Sequence, residues 1–253
     1  MDLRSNDSRR NFLKISIASG ALLVFNSCGH EEAKRSAEQS TNDHAKSGNS
    51  EKGGEVTATE DLMREHGVLR RALLVYSEAA TKLRTNASAV SPEALQKTAK
   101  LFRAFGEEYH EQKLEETYIF PAVKKAGGPA AAYTDILLAQ HSRGLEITNY
   151  ILAATQGAKL GSAKVEQFAG VLDALVRMYR AHASREDTVV FPAWKRTLTA
   201  DQLDEMNDKF EDIEHEQFGE DGFEDAVKQI TEIESQLGLG DLSYFTAPVP
   251  AGL

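Results

Sequence analysis

Cysteine occurs once in these 253 residues, at Cys28. No intramolecular disulfide can therefore staple the fold, and no thiolate beyond Cys28 is available to a metal site. Basic charge is also scarce. Lys and Arg number 29 against 39 Asp and Glu, leaving −10 and a pI near 5.3. That balance argues against a nucleic-acid partner. Long hydrophobic runs are missing: the one apolar stretch of note, Ile15 to Phe25, falls short of the roughly 20 residues that span a bilayer as a helix. No segment shows a convincing period-two alternation, so strands are not expected. What is present is ordinary for a soluble globular chain of one or two domains, with 27% charged and 41% hydrophobic residues.

The N-terminus reads "SRRNFLK" followed by "ISIASGALLVF". A charged head before a short apolar run is a targeting pattern, and Arg9-Arg10 ahead of Phe12-Leu13-Lys14 resembles a twin-arginine export signal. Cys28, in "VFNSCG", sits where a bacterial lipoprotein is cleaved and lipidated, although Phe25 stands where leucine is usual. Residues 1–28 are thus read as an export signal with a lipidation candidate at Cys28. The chain is expected in the periplasm or cell envelope, with the membrane contacted only through that lipid anchor. Removing residues 1–27 takes away Arg4, Arg9, Arg10 and Lys14 but only Asp2 and Asp7, leaving a charge of about −12 that would not adhere to anionic lipid. Residues 29–57 are polar, almost without large apolar groups, and read as a flexible linker. His30 and His44 lie in it as solvated histidines.

From Thr59 the apolar spacing becomes helical. Leu62, His66, Leu69 and Leu73 argue for a helix over about 59–84. "SPEALQ" sets Ser91 as a cap and Pro92 in the first turn of a helix running to about Lys125, with Gly127-Gly128-Pro129 as its stop. A third helix spans about 130–156 with Gln140 and His141 on its apolar side, and a fourth runs from after Ser162 to about Arg196. Four long helices with short connections predict an all-α fold, an antiparallel four-helix bundle over 58–197. Residues 198–253, capped at Thr199, form a C-terminal helical extension and tail.

The chain nearly repeats itself. "HEQKLEETYIFPAVKK" from His110 is followed by "HASREDTVVFPAWKR" from His182. Aligned on Phe-Pro, Glu115-Glu116 falls on Glu186-Asp187, with one slip: His182 precedes Glu186 by four residues, and His110 precedes Glu115 by five. Each half contributes one lone histidine, His66 or His141, and one His-Glu pair. Two hairpins packed about a pseudo-twofold axis would bring four histidines and two glutamates together. Four residues apart, His182 and Glu186 share a helix face; five apart, His110 and Glu115 point about 140° apart on a regular α-helix. Two local structures accommodate the slip. A π-bulge could absorb one residue between them, or Glu111, which aligns with His182, could take the ligand role in place of His110. The packing phases favour the bulge: Phe102, Gly106 and His110 keep one register, and Glu115, Ile119 and Ala122 keep another, one residue later.

Imidazole with carboxylate suits iron, zinc, manganese, nickel or copper. Six ligands are too many for one closed tetrahedral zinc. They suit an octahedral ion, or better two ions bridged by the two carboxylates, with positions open to water, O2 or NO. Phe120-Pro121 and Phe191-Pro192 read as packing and bending elements, Glu116 and Asp187 as orienting or solvated residues, and Tyr109 as a core tyrosine. His215 lies outside the repeat on an acidic helix.

The stretches "LMREHGVLRRALLVY", "YHEQKLEETYIFPAV", "LLAQHSRGLEI" and "HASREDTVVFPAW" resemble, in order, the four motifs of hemerythrin-like (HHE cation-binding) domains over about residues 59–197. The resemblance implies a non-haem di-iron centre with His66, His110, His141 and His182 as terminal ligands and Glu115 and Glu186 as bridges. Zinc or manganese can substitute for the two iron ions. Together with the export signal, it implies an exported protein that binds O2 or NO as carrier, sensor or stress-response protein. The alternatives are a di-iron enzyme of nitric-oxide or peroxide detoxification or iron-centre repair, and a helical envelope interaction module with a structural metal.

A twin-arginine route carries folded proteins, so metal loaded in the cytoplasm would escape displacement by tighter-binding copper or zinc outside. Replacing Arg9-Arg10 with Lys-Lys is expected to leave the precursor inside the cell, scored by fractionation; undiminished export would refute the use of the twin-arginine machinery.

Overall fold

The computed structural model describes residues 56–157, 164–220 and 222–251. The export signal, Cys28, His30 and His44 lie outside the described residues. Thr57 to Leu253 forms one compact unit, and its described secondary structure is entirely helical.

Helix α1 (Ala58–Asn86) opens on a capping box: the Thr57 hydroxyl accepts the Glu60 N–H, and the Glu60 carboxylate accepts the Thr57 N–H, which satisfies two otherwise orphaned donors. The second helical rod starts as expected at Ser91 and Pro92, but it is not one regular helix. It comprises α2 (Pro92–Leu101), a π-helical stretch π1 (Phe102–Ile119) and α3 (Phe120–Ala126). Gly127 and Gly128 end it with φ of 75° and 77°, a region that residues with a Cβ enter only at a cost. Then come α4 (Ala131–Ala154) and a last rod of α5 (Val165–Arg185), π2 (Glu186–Val190) and α6 (Phe191–Lys195).

The two π-helical stretches have a local cause. Pro121 and Pro192 lack an N–H, and their rings crowd the carbonyls of Thr117 and Thr188, four residues earlier. The helix answers by widening one turn. The Phe120 N–H donates to the Glu115 carbonyl and the Phe191 N–H to the Glu186 carbonyl, each five residues back. Upstream the repeats differ. The Thr117 hydroxyl donates to the Gln112 carbonyl, five back, whereas the Thr188 hydroxyl donates to the Ser184 carbonyl, four back. The widening thus continues through His110–Glu115 in the first repeat and begins only at Glu186 in the second. That is the rephasing the slipped spacing predicts; the second, shorter π-helical stretch was not anticipated.

Neighbouring rods run in opposite directions. Along α1 and the second rod, Tyr76 meets Phe102 and His66 meets His110. Thr148 of α4 meets Glu107, and His141 meets Glu116. Tyr150 meets Phe168 of α5 and His141 meets His182. Closing the ring, Arg84 of α1 pairs with Glu166 and His66 with Asp187. Phe102, fully buried, lies between Tyr76 and the Tyr179 ring, 4.8 Å away.

Helix α7 (Ala200–Phe218), capped by Thr199 and Gln202, and α8 (Gly222–Gln236) pack on the outside of α1, α2 and π1. Aromatic anchors dock them: Phe210 stacks on Trp194 at 5.7 Å, Phe218 meets Tyr109 edge-on at 5.3 Å, and Phe223 meets Phe105. Phe210, fully buried, contributes about 2–3 kcal/mol, and the half-buried Phe218 and Phe223 contribute less. Among the described residues no helix is long and apolar enough to cross a membrane.

Gly144 fixes the approach of α4 to α5. A Cβ there would lie 2.0 Å from the Tyr179 hydroxyl. Gly144→Ala is expected to destabilise the protein by about 1–3 kcal/mol, the usual cost of overpacking. Adding Tyr179→Phe should recover part of the loss in urea melts, since the closest clash is with the oxygen.

Candidate metal centre

The four histidines and two glutamates predicted from the repeat converge at mid-height of the rods, all buried to 4% exposure or less. They form two half-sites. In the first, His66 Nε2 and His110 Nε2 lie 3.0 Å apart. In the second, His141 Nε2 and His182 Nε2 lie 3.2 Å apart. Both glutamates span the two. Glu115 sends Oε1 to His110 Nε2 and Oε2 to His141 Nε2, each at 3.3 Å. Glu186 sends Oε1 to His182 Nε2 at 2.9 Å and Oε2 to His66 Nε2 at 3.4 Å. Each half-site thus holds two imidazole nitrogens and one oxygen from each carboxylate. Glu115 faces this centre despite the five-residue spacing because π1 rephases the helix between it and His110.

The far side of every ring is fixed. A carboxylate or amide oxygen can only accept, so each Nδ1–H donates outward: His66 to Asp187 at 2.7 Å, His110 to Glu65 at 2.7 Å, His141 to Glu116 at 2.8 Å and His182 to Gln140 at 2.9 Å. The pattern runs around the ring of rods and obeys the repeat. The residue before each lone histidine serves the histidine on the next rod, and the residue after each bridging glutamate serves the other. Phe191 stacks on His66 and Phe120 on His141, both at 5.4 Å and 25°. The Phe-Pro motif therefore has two jobs: its proline widens the turn, and its phenyl ring packs a histidine of the centre.

With Nδ1 protonated, each neutral ring turns a lone pair on Nε2 inward. Both oxygens of Glu115 and both of Glu186 have no hydrogen-bond donor. Acceptors facing acceptors in a buried site need protons or cations between them. Protons would turn His66 and His110, with centroids 4.6 Å apart, into adjacent like charges. Metal ions satisfy the same lone pairs without that repulsion, and imidazole with carboxylate is a donor set that divalent transition metals accept. His141, His182, Glu115 and Glu186 have donor atoms all within 4.8 Å of one another, as do His66, His110 and Glu115.

Other candidates separate from this centre. Glu111 is buried beside it but is not among the converging donors, and its Oε1 has no partner. His215 is half-buried on α7 and also lies outside these groups. Tyr109 is a core residue as expected, but it also donates to Glu65 at 3.0 Å. The role of Glu65 was not foreseen, nor was its place with Asp61 and Glu214 in a further buried group of converging carboxylates. Its signal was present as the residue before His66, matching Gln140 before His141. Glu111 and Tyr179, both buried, line a cavity of about 10 Å³ together with His66, His110, His182 and Leu69.

The hemerythrin HHE cation-binding domain family matches residues 57–194, the stretch that builds all of this. The chain belongs to that family. It is 39% identical over 241 residues to uncharacterized proteins of Mycobacterium bovis and Mycobacterium tuberculosis, covering 94% of this chain and 90% of theirs. The likeness reaches well beyond the HHE domain itself. No solved structure matches.

The electrostatics of this HHE centre without metal follow from its charges. Burial lowers the affinity of His110 and His141 for protons, yet the surrounding carboxylates outweigh it and hold both imidazoles well above the ordinary value, with His66 raised as well. Burial acts to raise Glu115 and Glu186, and the histidines outweigh it, leaving both lowered. Raised histidines contribute stability that is fully present below their unfolded pKa of about 6.5 and is lost as pH rises through the folded value. Lowered glutamates contribute stability present above about 4.5 and lost as pH falls through theirs. The metal-free protein is therefore expected to be most stable between about pH 4.5 and 6.5. Metal needs the neutral rings and releases protons on binding, so the rise in melting temperature on adding metal should grow from pH 6 to pH 8. A metal-induced rise that shrinks over this interval would contradict the assignment.

Proposed function

We propose that residues 58–197 form an antiparallel four-helix bundle holding two iron ions, and that the pair binds O2 or NO in the envelope of the cell. His66, His110, His141 and His182 would be the terminal ligands, Glu115 and Glu186 the bridges, with zinc or manganese able to occupy the same donors. One observation carries the reading: each glutamate sends one oxygen to each histidine pair, and none of the four oxygens has a hydrogen-bond donor. A single-ion site has no use for two carboxylates spread in this way.

A bound iron pair supplies electrons to a diatomic ligand; the chain supplies the rest. The burial of all six residues excludes bulk water, and Phe218 of α7 packs on Tyr109, which donates to Glu65. A cavity of about 10 Å³ has room for one water-sized molecule, which suits a diatomic and excludes an organic substrate. Tyr179 lines that cavity, and its hydroxyl lies against Gly144. Glu111, a buried carboxylate on the cavity wall, favours the second reading, an enzyme that reduces NO or peroxide, because reduction consumes protons and a carboxyl can relay them. Export by the N-terminal signal, anchoring at Cys28 and the tether of residues 29–57 belong to this proposal; Arg70, ion-paired with Asp187 at the cavity mouth, faces the outside.

Protein purified without air should contain two irons per chain and develop visible absorption on adding O2 or NO. Absence of iron, or folding and metal content untouched by His182→Ala, would count against the iron pair. Turnover of NO with a reductant would select the enzyme.

A further inference from the structure

The histidine supports are matched across the repeat in every position but one. Glu116 and Asp187 correspond, and both are carboxylates. Glu65 and Gln140 correspond, and one is a carboxylate while the other is a neutral amide. The first half-site is therefore backed by two anions, Glu65 and Asp187. The second is backed by one, Glu116, with Gln140 on the other ring.

Burial sharpens the difference. The Glu65 side chain is 1% exposed and Asp187 19%, whereas Glu116 is 33% exposed. A buried charge acts on its neighbours with less screening than one facing water. Arg70 offsets part of the Asp187 charge and the Tyr109 hydroxyl draws on Glu65, but neither removes an anion. Glu111 is a further buried carboxylate near His141 and His182, but it backs neither ring through a hydrogen bond, as Glu65 backs His110. A carboxylate behind an imidazole makes the ring a more basic ligand, and loss of such a partner typically costs 10–100-fold in metal affinity.

Resting on the metal-pair reading above, we infer that Gln140 makes the half-sites unequal, so that the ion on His66 and His110 is held more tightly than the ion on His141 and His182. Gln140 acts through His182 and is a positioning residue. The direct donors do not reverse the order. Glu186 lies half an ångström nearer His182 than His66, but a side chain can adjust to an ion by that much, and a missing charge cannot be recovered by movement. The ion on His141 and His182, with less donation from its ligands, is the stronger Lewis acid and the one exchanged first.

The test is ferrous-ion release from the iron-loaded full chain to excess coloured chelator, without air. The wild type should lose its two ions in two phases of equal amplitude, with rates about tenfold apart. Gln140→Glu should slow the fast phase until the two merge. Glu65→Gln should merge them from the other side, by accelerating the slow phase. Glu116→Gln should accelerate the fast phase and widen the gap. A residue that only held the fold together would give no such ordering. Single-phase release by the wild type, or a gap that Gln140→Glu leaves unchanged while both ions are bound, overturns the inference. A wild type that binds fewer than two irons overturns the metal-pair reading itself, and the inference with it.

Discussion

Two glutamates, each shared between two histidine pairs, set the terms for everything around them. Glu115 and Glu186 are fully buried, and buried carboxylates are costly unless something cationic meets them. Nearby arginines do not meet that need: Arg70 pairs with Asp187 and Arg103 with Glu107. The carboxylates instead face four imidazole nitrogens whose hydrogens are held on the far side. The arrangement asks for compensating positive charge among these donors. The rods must then sit in one register, because a shift by one residue would turn a ligand away.

That register explains the unusual helix geometry. A helix with proline at position 121 must give up an i→i−4 bond and relieve a clash. Widening one turn does both, and it moves the glutamate five residues before the phenylalanine into phase with the centre. The same device appears at Pro192. In the second rod the widening extends further upstream, and only this allows a five-residue spacing to work as a four-residue one does in the last rod. A backbone irregularity that would cost stability in an ordinary core is retained where ligand direction matters.

Much of this was legible in the sequence, for reasons that can be stated. Helix starts at Ser91 and Thr199 follow from side chains that cap their own backbone, a purely local effect. The convergence of His66, His110, His141 and His182 follows from an internal repeat, because two copies of one hairpin have few ways to pack. Even the rephasing of π1 could be read, since the apolar pattern itself changes register between His110 and Glu115. What stayed hidden depends on residues from different rods. Nothing local in "MREHG" says that Glu65 will support His110 rather than face water. Glu111 and Tyr179 are distant in sequence and reveal a shared cavity only when α5 and π1 face each other across the ring of rods. The π-helical turn at Glu186 was hidden for another reason: it lies downstream of a His–Glu spacing that a regular helix already satisfies.

The symmetry of the site and its breakage are best understood together. Duplication gives equal ligands, equal stacking rings and equal supports, and a pair of equal ions would follow. Replacing one supporting carboxylate by an amide leaves the geometry intact, because glutamine accepts the same hydrogen bond at 2.9 Å that glutamate accepts at 2.7 Å on the matched ring. It changes only the charge. A difference placed there costs little packing, yet it acts on the ring that would bind metal. Functional inequality between two structurally equivalent positions is most cheaply introduced one hydrogen bond away from the ligands, and Glu65 against Gln140 is the matched pair of supports where this chain does so.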